Sequence, residues 1–189
     1  MKIAITPKER LFETAGRLFF QHGYRAIGVD TIAAESGIGK MTLYRHYPSK
    51  DDLIVAYLQD SNEDFWEYFE QSTKNAATAR GKLLAFFEAL QGYVTSPTCY
   101  GCPFINVATE YPEVGYAGHQ VALEHKQSVH ARFTQLAEEA GAPQPEALAN
   151  ALHLLMDGAY IAARMYGATL QNPAVDVAEA ARQLIDAHC

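Results

Sequence analysis

The chain has 189 residues, of which 49% are apolar and 20% charged, and its 22 acidic and 15 basic side chains give a formal net charge of −7. This composition excludes a disordered or low-complexity protein, and the length allows one large domain or two small ones. There is no apolar run near the roughly 18–20 residues that span a bilayer, no secretory signal pattern and only three cysteines, so we expect a cytoplasmic protein without membrane segment or disulfide scaffold.

Helical periodicity runs through nearly the whole chain and predicts an all-α fold of about nine helices. The first helix begins at Pro7, with Thr6 and Glu9 as a capping box, and Gly23 ends it. Ser49, with Asp52 three residues on, caps a long fourth helix. The second to ninth predicted helices cover about residues 29–36, 40–46, 50–75, 78–95, 104–110, 113–140, 145–170 and 174–188.

An internal domain boundary is predicted near residue 50, where the net charge of the chain changes sign. Residues 1–50 carry eight basic and four acidic groups, a net charge of +4, whereas residues 51–189 carry −11. Charge acts through its location, so an acidic protein can still bind nucleic acid through a basic head. We therefore predict an N-terminal three-helix head over residues 1–50 and a C-terminal helical body over residues 51–189.

The head contains a predicted helix-turn-helix, in which two short helices meet across the turn Ser-Gly-Ile-Gly at residues 36–39. The apolar residues expected to pack inward are Val29, Ile32, Ala33, Ile38 and Leu43. The outward face of the second helix then carries cations, hydroxyls and rings that suit phosphate oxygens and base edges, namely Lys40, Met41, Thr42, Tyr44, Arg45 and His46.

The segment GIGKMTLYRHYPSKDDLIVAYL resembles the DNA-binding segment of the TetR/AcrR family of transcriptional regulators. The match covers about residues 8–58, and its most specific part is Thr-Leu-Tyr-Arg-His-Tyr followed by Pro-Ser-Lys-Asp. Gly-Cys-Pro-Phe-Ile-Asn at residues 101–106, with Glu110, further resembles one large branch of the family with diverse ligands. The resemblance implies a DNA-binding regulator whose body senses a small molecule and forms dimers.

The resemblance implies DNA contacts at eight positions. Those at the major groove are Lys40, Met41 and Thr42, those at the phosphate backbone are Tyr44, His46 and Lys50, Arg45 suits either, and Thr31 is a further phosphate donor. Two residues depart from the family pattern. Gly28 caps the second helix less well than the common Thr or Ser, and Asp30 stands where many relatives are neutral or basic, so we assign Asp30 no DNA contact.

Aromatic and polar side chains concentrate on the middle helices of the body, as a mostly apolar small-molecule site requires. The candidate ligand-binding residues are Phe65, Trp66, Phe69, Phe86, Tyr93, Cys102, Phe104, Asn106, His125, Met156, Tyr160 and Arg164. Each of them can instead be ordinary core.

The last two helices are predicted to form an isologous homodimer. The stripes proposed for it are Leu148, Leu152, Leu155, Ala159 and Ala162 on the eighth helix and Val177, Ala181, Leu184 and Ile185 on the ninth. The alternative is that these stripes cover the subunit's own core.

The function predicted first is a ligand-responsive regulator, foremost a repressor that a small molecule releases from a palindromic operator. One alternative is a thiol-based redox or electrophile sensor that uses the Cys99-Tyr100-Gly101-Cys102 pair, and another is a helical protein-interaction module. No second CxxC completes a metal site, so we expect no metal and no cofactor. No nucleophile with a base partner, Gly-rich phosphate loop or paired carboxylates indicates an enzyme.

Overall fold

The computed structural model describes residues 6–189, and within that range the secondary structure is entirely helical, as predicted. The α-helices are α1 (Pro7–His22), α2 (Val29–Ser36), α3 (Lys40–His46), α4 (Lys50–Thr73), α5 (Ala79–Val94), α6 (Pro103–Glu110), α7 (Ala117–Glu139), α8 (Pro145–Tyr166) and α9 (Val177–His188), with a short 3-10 turn at Pro173–Asp176 before α9. None of the described helices combines the length and apolar character needed to cross a membrane.

Local capping chemistry sets the helix starts that the sequence predicted. Thr6 accepts a hydrogen bond from the amide of Glu9 through its hydroxyl at 3.2 Å, and the Glu9 carboxylate accepts one from the amide of Thr6 at 2.7 Å. The Ser49 hydroxyl accepts from the amide of Asp52 at 3.0 Å at the start of α4. At the end of α2, Gly37 adopts a φ of +68°, the left-handed conformation that glycine tolerates best.

Three helices differ from their predicted bounds. Residues before Ala117 form a turn, in which the amide of Tyr116 donates to the carbonyl of Glu113, so α7 starts later than predicted. Gly167, with a φ of +59°, ends α8 about one turn early. The buried Asn172 side chain then caps the turn before α9 by accepting from the amide of Ala174 at 3.0 Å.

The described chain divides into two compact units. The first comprises the described residues up to Asn62 together with Pro103–Leu123, and the second comprises Glu63–Cys102 and Glu124–Cys189. The predicted boundary near residue 50 therefore lies within the first unit. The compact unit is larger than the predicted head because α6 is hydrogen-bonded to the turn after α1, as described below.

The core of the first unit is built from α1, the helix-turn-helix and the start of α4. Ile32 and Leu43 have no exposed area, which confirms that they pack inward, while Val29, Ala33 and Ile38 are partly buried. The remaining fully buried apolar side chains of these elements are Leu11, Ala15, Phe19, Tyr24, Leu53, Ile54 and Leu58.

The core of the second unit contains an aromatic cluster on α4, α5 and α7. The ring of Phe86 lies 5.0 Å from that of Phe69, 5.4 Å from Phe87 and 5.6 Å from Phe133, measured between centroids. Each of these four rings has no exposed area.

Most of the stripe predicted for the homodimer belongs to this core instead. Leu148 and Leu152 on α8 have no exposed area, and neither do Ala181 and Ile185 on α9. The reason is that α8 packs against both α5 and α9 within the unit, so the stripe is covered by the subunit itself. Leu155 and Leu184 are partly buried, and Ala159, Ala162 and Val177 are buried.

Candidate nucleic-acid interface and sensing core

The helix-turn-helix is held together by short-range polar contacts. The Ser36 hydroxyl donates to the carbonyl of Ala33 and accepts from the amide of Ile38, both at 3.3 Å, which fixes the turn between α2 and α3. An ion pair between Arg17 and Glu35 at 2.7 Å joins α1 to α2. None of these three contacts involves a side chain of α3.

The residues predicted to touch DNA all keep solvent-exposed area. Met41 is 85% exposed and Tyr44 is 46% exposed. Thr31, Lys40 and Arg45 are exposed, and Thr42, His46 and Lys50 are partly buried. Met41 therefore buries little apolar surface in the fold. An apolar side chain on a helix in the major groove can contact a thymine methyl group.

Two charges on this surface interact with each other. Asp30 in the first turn of α2 forms an ion pair with Lys40, the first residue of α3, and the two side chains are 76% and 55% exposed. Lys40 was predicted to read the major groove, whereas Asp30 had no assigned role. Beyond α3, burial lowers the pKa of the Lys50 ammonium, against the opposing effect of Asp51 and Glu110.

The helix α6 is tied at both ends to the turn that follows α1. The carboxylate of Glu110 accepts hydrogen bonds from the amides of Tyr24 at 3.0 Å and Arg25 at 2.6 Å. The Tyr24 hydroxyl donates to the carbonyl of Pro103 at 2.9 Å. Gly23 leaves room for the carboxylate, since a Cβ there would lie 2.7 Å from Glu110 Oε1.

A second connection joins the start of α4 to the segment between α6 and α7. The Tyr116 hydroxyl donates to the carboxylate of Asp51 at 2.9 Å. The rings of Tyr111 and Tyr116 are stacked with centroids 4.3 Å apart, and the Arg25 guanidinium lies 4.8 Å from the Tyr111 centroid. Burial, followed by the bond to Asp51, raises the pKa of Tyr116.

The second unit brings together five of the residues predicted to bind a ligand. The Phe65 ring lies 5.3 Å from Trp66, 6.0 Å from Phe86 and 4.8 Å from His125, in each case edge to face. Phe69 lies beneath this group, with its ring 5.0 Å from Phe86. Phe65 and Trp66 are partly buried and the other three are buried, so Phe65 and Trp66 are the accessible members.

The other candidates lie elsewhere. Tyr93 and Tyr160 form a separate pair with ring centroids 6.3 Å apart, Met156 is fully buried, and Cys102 is 4% exposed. Arg164 is exposed and donates to the carbonyl of Tyr100 at 3.3 Å. Phe104 and Asn106 lie on α6 and so belong to the first unit.

Burial favours the neutral forms of two titratable side chains in the second unit, His125 and Tyr160. It lowers the pKa of His125 to about 3, with Lys126 and His153 acting in the same direction. Burial also raises the pKa of the Tyr160 hydroxyl well above its ordinary value. His125 and Tyr160 are therefore neutral hydrogen-bonding groups at pH 7.

The cysteines of the CxxC pair are free and buried, and burial raises the pKa of the Cys99 thiol. The thiolate is the reactive form, so this environment does not favour a thiol sensor. Among the described residues, no group of three His, Cys, Asp or Glu side chains is placed to hold a metal ion.

Comparison with known proteins identifies the family. The family model for bacterial regulatory proteins of the tetR family matches residues 11–57. The structure of sav143 from Streptomyces avermitilis, described as a tetR-type transcriptional regulator, is 30% identical, covers 97% of this chain and 98% of its own, and superposes with a TM-score of 0.85. The chain belongs to the TetR family of transcriptional regulators. This membership confirms the prediction of a transcription regulator rather than an enzyme.

Two further comparisons show how the similarity is distributed along the chain. SCO4454 of Streptomyces coelicolor, a TetR-family transcriptional regulator, is 29% identical, covers 96% of this chain and 93% of its own, and has a TM-score of 0.86. The transcriptional activator FasR of Mycolicibacterium smegmatis is 32% identical over 85 residues, which are 45% of this chain and 39% of FasR. The matches to the curated relatives thus span about two fifths of their length or less.

Sequence reasoning missed the roles of Asp30 and Glu110. The family resemblance includes Glu110 without giving it a partner, and its partners Tyr24 and Arg25 lie 86 and 85 residues away. A single sequence carries no signal for a pairing over that distance. Asp30 and Lys40 lie only ten residues apart, near the starts of α2 and α3, so opposite charges on the two helices were the available signal for their ion pair.

Proposed function

We propose that the protein is a cytoplasmic, homodimeric regulator that binds a palindromic operator, foremost as a repressor released by a small molecule. The observation that carries the proposal is a helix-turn-helix of the TetR family whose second helix presents Lys40, Met41 and Arg45 to solvent. Two such heads in a dimer would read half-sites about 34–36 Å apart or a multiple of that distance.

The contacts of each head divide into two kinds. Lys40, Met41 and Thr42 on α3 are assigned to base edges in the major groove, where ammonium, methyl and hydroxyl groups find partners. Tyr44, His46 and Lys50 are assigned to phosphates, which position the head without reading sequence. Removal of a phosphate contact should weaken binding to every sequence alike, whereas removal of a base contact should change the preferred sequence.

The test is selection of bound fragments from random-sequence DNA. The wild-type protein should enrich a palindrome, and its affinity should fall steeply with salt because each neutralised phosphate releases counterions. Lys50→Ala should reduce the slope of log affinity against log salt by about 0.9 for each lost contact, while Thr42→Ala should alter the enriched sequence.

Lys74→Ala is the matched control, because Lys74 is an exposed lysine outside the head, directly after the last residue of α4. It should leave both the salt slope and the enriched sequence unchanged. If no sequence is enriched, or if Lys50→Ala and Thr42→Ala both behave like Lys74→Ala, the proposed DNA-binding surface is wrong.

The homodimer is proposed through the last two helices, by an exposed face of α8 that does not include the fully buried Leu148 and Leu152. Leu154, Ile161 and Met165 are 74%, 42% and 73% exposed, and their spacing of seven and four residues places them on one side of α8. A groove of about 280 Å³ beside them is lined by Leu154, Leu155, Gly158, Ala159, Ala162, Pro173, Ala174, Asp176, Val177 and Ala180. Exposed apolar surface next to small residues suits close approach of a second copy.

Sedimentation of two charge variants tests this interface. Met165→Glu should convert the dimer to a monomer because it places a carboxylate in an apolar contact. Gln127→Glu adds the same charge at an exposed position of α7 and should remain dimeric. A dimer that survives Met165→Glu at the concentrations where wild type is dimeric would refute the proposed face.

The effector is proposed to be a small, predominantly apolar or aromatic molecule that binds at the cluster of Phe65, Trp66 and His125. The support is the partial exposure of Phe65 and Trp66 above fully buried rings, together with the neutral His125. Trp66 is the single tryptophan of the sequence, so its fluorescence reports directly on this cluster.

A panel of apolar and aromatic compounds should contain members that change this fluorescence and also release the enriched DNA. His125→Gln should alter the response to such a compound, whereas replacement of the exposed His22 by Gln should not. Compounds that release DNA with no effect on the fluorescence would place the effector elsewhere.

A further inference from the structure

Both carboxylates of α2 form ion pairs, each with a cation of a neighbouring helix. Glu35 pairs with Arg17 of α1 at 2.7 Å, and Asp30 pairs with Lys40 of α3. Only the second pair involves the recognition helix. Both carboxylates are exposed, with 47% of the Glu35 and 76% of the Asp30 side chain accessible. The two pairs therefore differ mainly in the helix that supplies the cation, which is α1 for Glu35 and α3 for Asp30.

The pair changes what Lys40 can do at the DNA surface. A free ammonium on a flexible stem attracts any phosphate, whichever bases are nearby. With Asp30 attached, a phosphate has to compete with a carboxylate for the same ammonium, and it is also repelled by that carboxylate. Non-specific contacts through Lys40 are therefore weakened.

Base edges in the major groove are not repelled by the Asp30 carboxylate in the way that a phosphate is. They present acceptors, such as the O6 and N7 atoms of guanine, for an ammonium, and donors, such as the N4 amine of cytosine, for a carboxylate. A pair of opposite charges can be satisfied there, whereas it cannot be satisfied by a row of phosphates. The juxtaposition of Asp30 and Lys40 thus favours contacts that depend on sequence.

We propose that Asp30 is a specificity-determining residue, which holds Lys40 toward the base edges and suppresses its contact with phosphates. This inference rests on the proposed DNA-binding function and adds a role for an acidic residue on that surface. It predicts that removal of the Asp30 charge increases binding to unrelated DNA and reduces sequence discrimination.

The test compares Asp30→Asn with Glu35→Gln, which makes the same charge change on the same helix. Binding to a fixed duplex of unrelated sequence is measured over a range of salt concentrations. Asp30→Asn should bind about 2- to 5-fold more tightly per head at low salt, as expected for one surface charge interaction. Its log–log salt slope should be steeper by about 0.9 for each head that gains a phosphate contact. Glu35→Gln should show a smaller gain and no change in slope.

Two further measurements assign the effect to Lys40 and to specificity. In Asp30→Asn/Lys40→Gln the gain in non-specific affinity should disappear, since Lys40 provides the added contact. In selection from random-sequence DNA, Asp30→Asn should enrich a less constrained sequence than wild type, a result that a merely structural role of Asp30 would not produce. Far-ultraviolet circular dichroism verifies that each variant is folded.

The outcomes separate this inference from the function on which it rests. If wild type enriches a palindrome but Asp30→Asn matches Glu35→Gln in salt slope and in enriched sequence, the role of Asp30 is refuted and the DNA-binding function stands. Persistence of the gain in the double variant also refutes it. If wild type enriches no sequence, the proposed function fails and the inference with it.

Discussion

The carboxylate of Glu110 provides the sharpest test of how α6 is attached within the first unit. It accepts two backbone hydrogen bonds, from Tyr24 at 3.0 Å and from Arg25 at 2.6 Å, in the turn that leads to the helix-turn-helix. Glu110→Ala removes both acceptors at once. We expect this substitution to lower the free energy of unfolding substantially and Glu110→Gln to lower it less.

The magnitude follows from the contacts. Hydrogen bonds to a charged group contribute about 1.5–3 kcal/mol each. The Arg25 amide bond is exposed, so water replaces most of it, whereas the bond from Tyr24 is partly buried and is replaced less well. We therefore expect Glu110→Ala to cost about 2–4 kcal/mol and Glu110→Gln, which keeps one neutral acceptor, about 1–2 kcal/mol. At about 2–4 °C per kcal/mol for a chain of this size, the alanine variant should unfold about 4–16 °C lower.

The assay is thermal unfolding at neutral pH, followed by far-ultraviolet circular dichroism. Glu113→Ala is the matched control, because Glu113 is an exposed glutamate three residues further along the chain. Tyr24→Phe tests the other attachment, since it removes only the hydroxyl that donates to Pro103, and it should cost about 1 kcal/mol. If Glu110→Ala unfolds within about 0.5 kcal/mol of Glu113→Ala, the carboxylate does not hold α6 in place.

Three other predictions concern His125, the cysteine pair and Tyr116. The pKa of His125 is about 3 when folded and 6.5 when unfolded, so the unfolded chain takes up its proton first as the pH falls. The free energy of unfolding should therefore be unaffected by this group above about pH 6.5 and should decrease toward pH 3, by about 2 kcal/mol at pH 5. Urea unfolding of His125→Gln should show a correspondingly flatter dependence on pH. The double variant Cys99→Ser/Cys102→Ser should respond to peroxide or an α,β-unsaturated carbonyl like wild type in DNA release, because burial keeps the Cys99 thiol protonated. Tyr116→Phe should cost about 1 kcal/mol of stability in the same unfolding measurement, through loss of its bond to Asp51.

Each of these three has a result that would contradict it. An unchanged pH profile in His125→Gln, or the same flattening in the control His22→Gln, would show that His125 is not the group responsible. Release of DNA by an oxidant in wild type but not in the cysteine variant would establish a thiol sensor. For Tyr116→Phe, stability equal to wild type would mean that the bond to Asp51 contributes nothing.

The helix starts could be predicted because their causes lie within a few residues. Thr6 and Glu9 satisfy each other's backbone amides, and Ser49 caps α4 through the amide of Asp52. The C-terminal end of α8 and the start of α7 were less well predicted, since the side-chain periodicity of each helix extends beyond the residue where the backbone turns. The outward side of α3 was likewise predictable from the sequence, because α3 is short and its inward residue Leu43 is apolar.

The sequence by itself determined that the chain is helical, that a basic head over residues 1–50 precedes an acidic body, and which residues of α3 face outward. It did not determine which face of α8 is covered. That helix is apolar on several sides, with Leu148 and Leu152 on one and Leu154 and Met165 on another. Only the packing of α5 and α9 against α8 decides that the first face is core and the second is open. The partners of Glu110 were equally undetermined, because hydrogen bonds between residues far apart in the chain depend on where the whole backbone brings them.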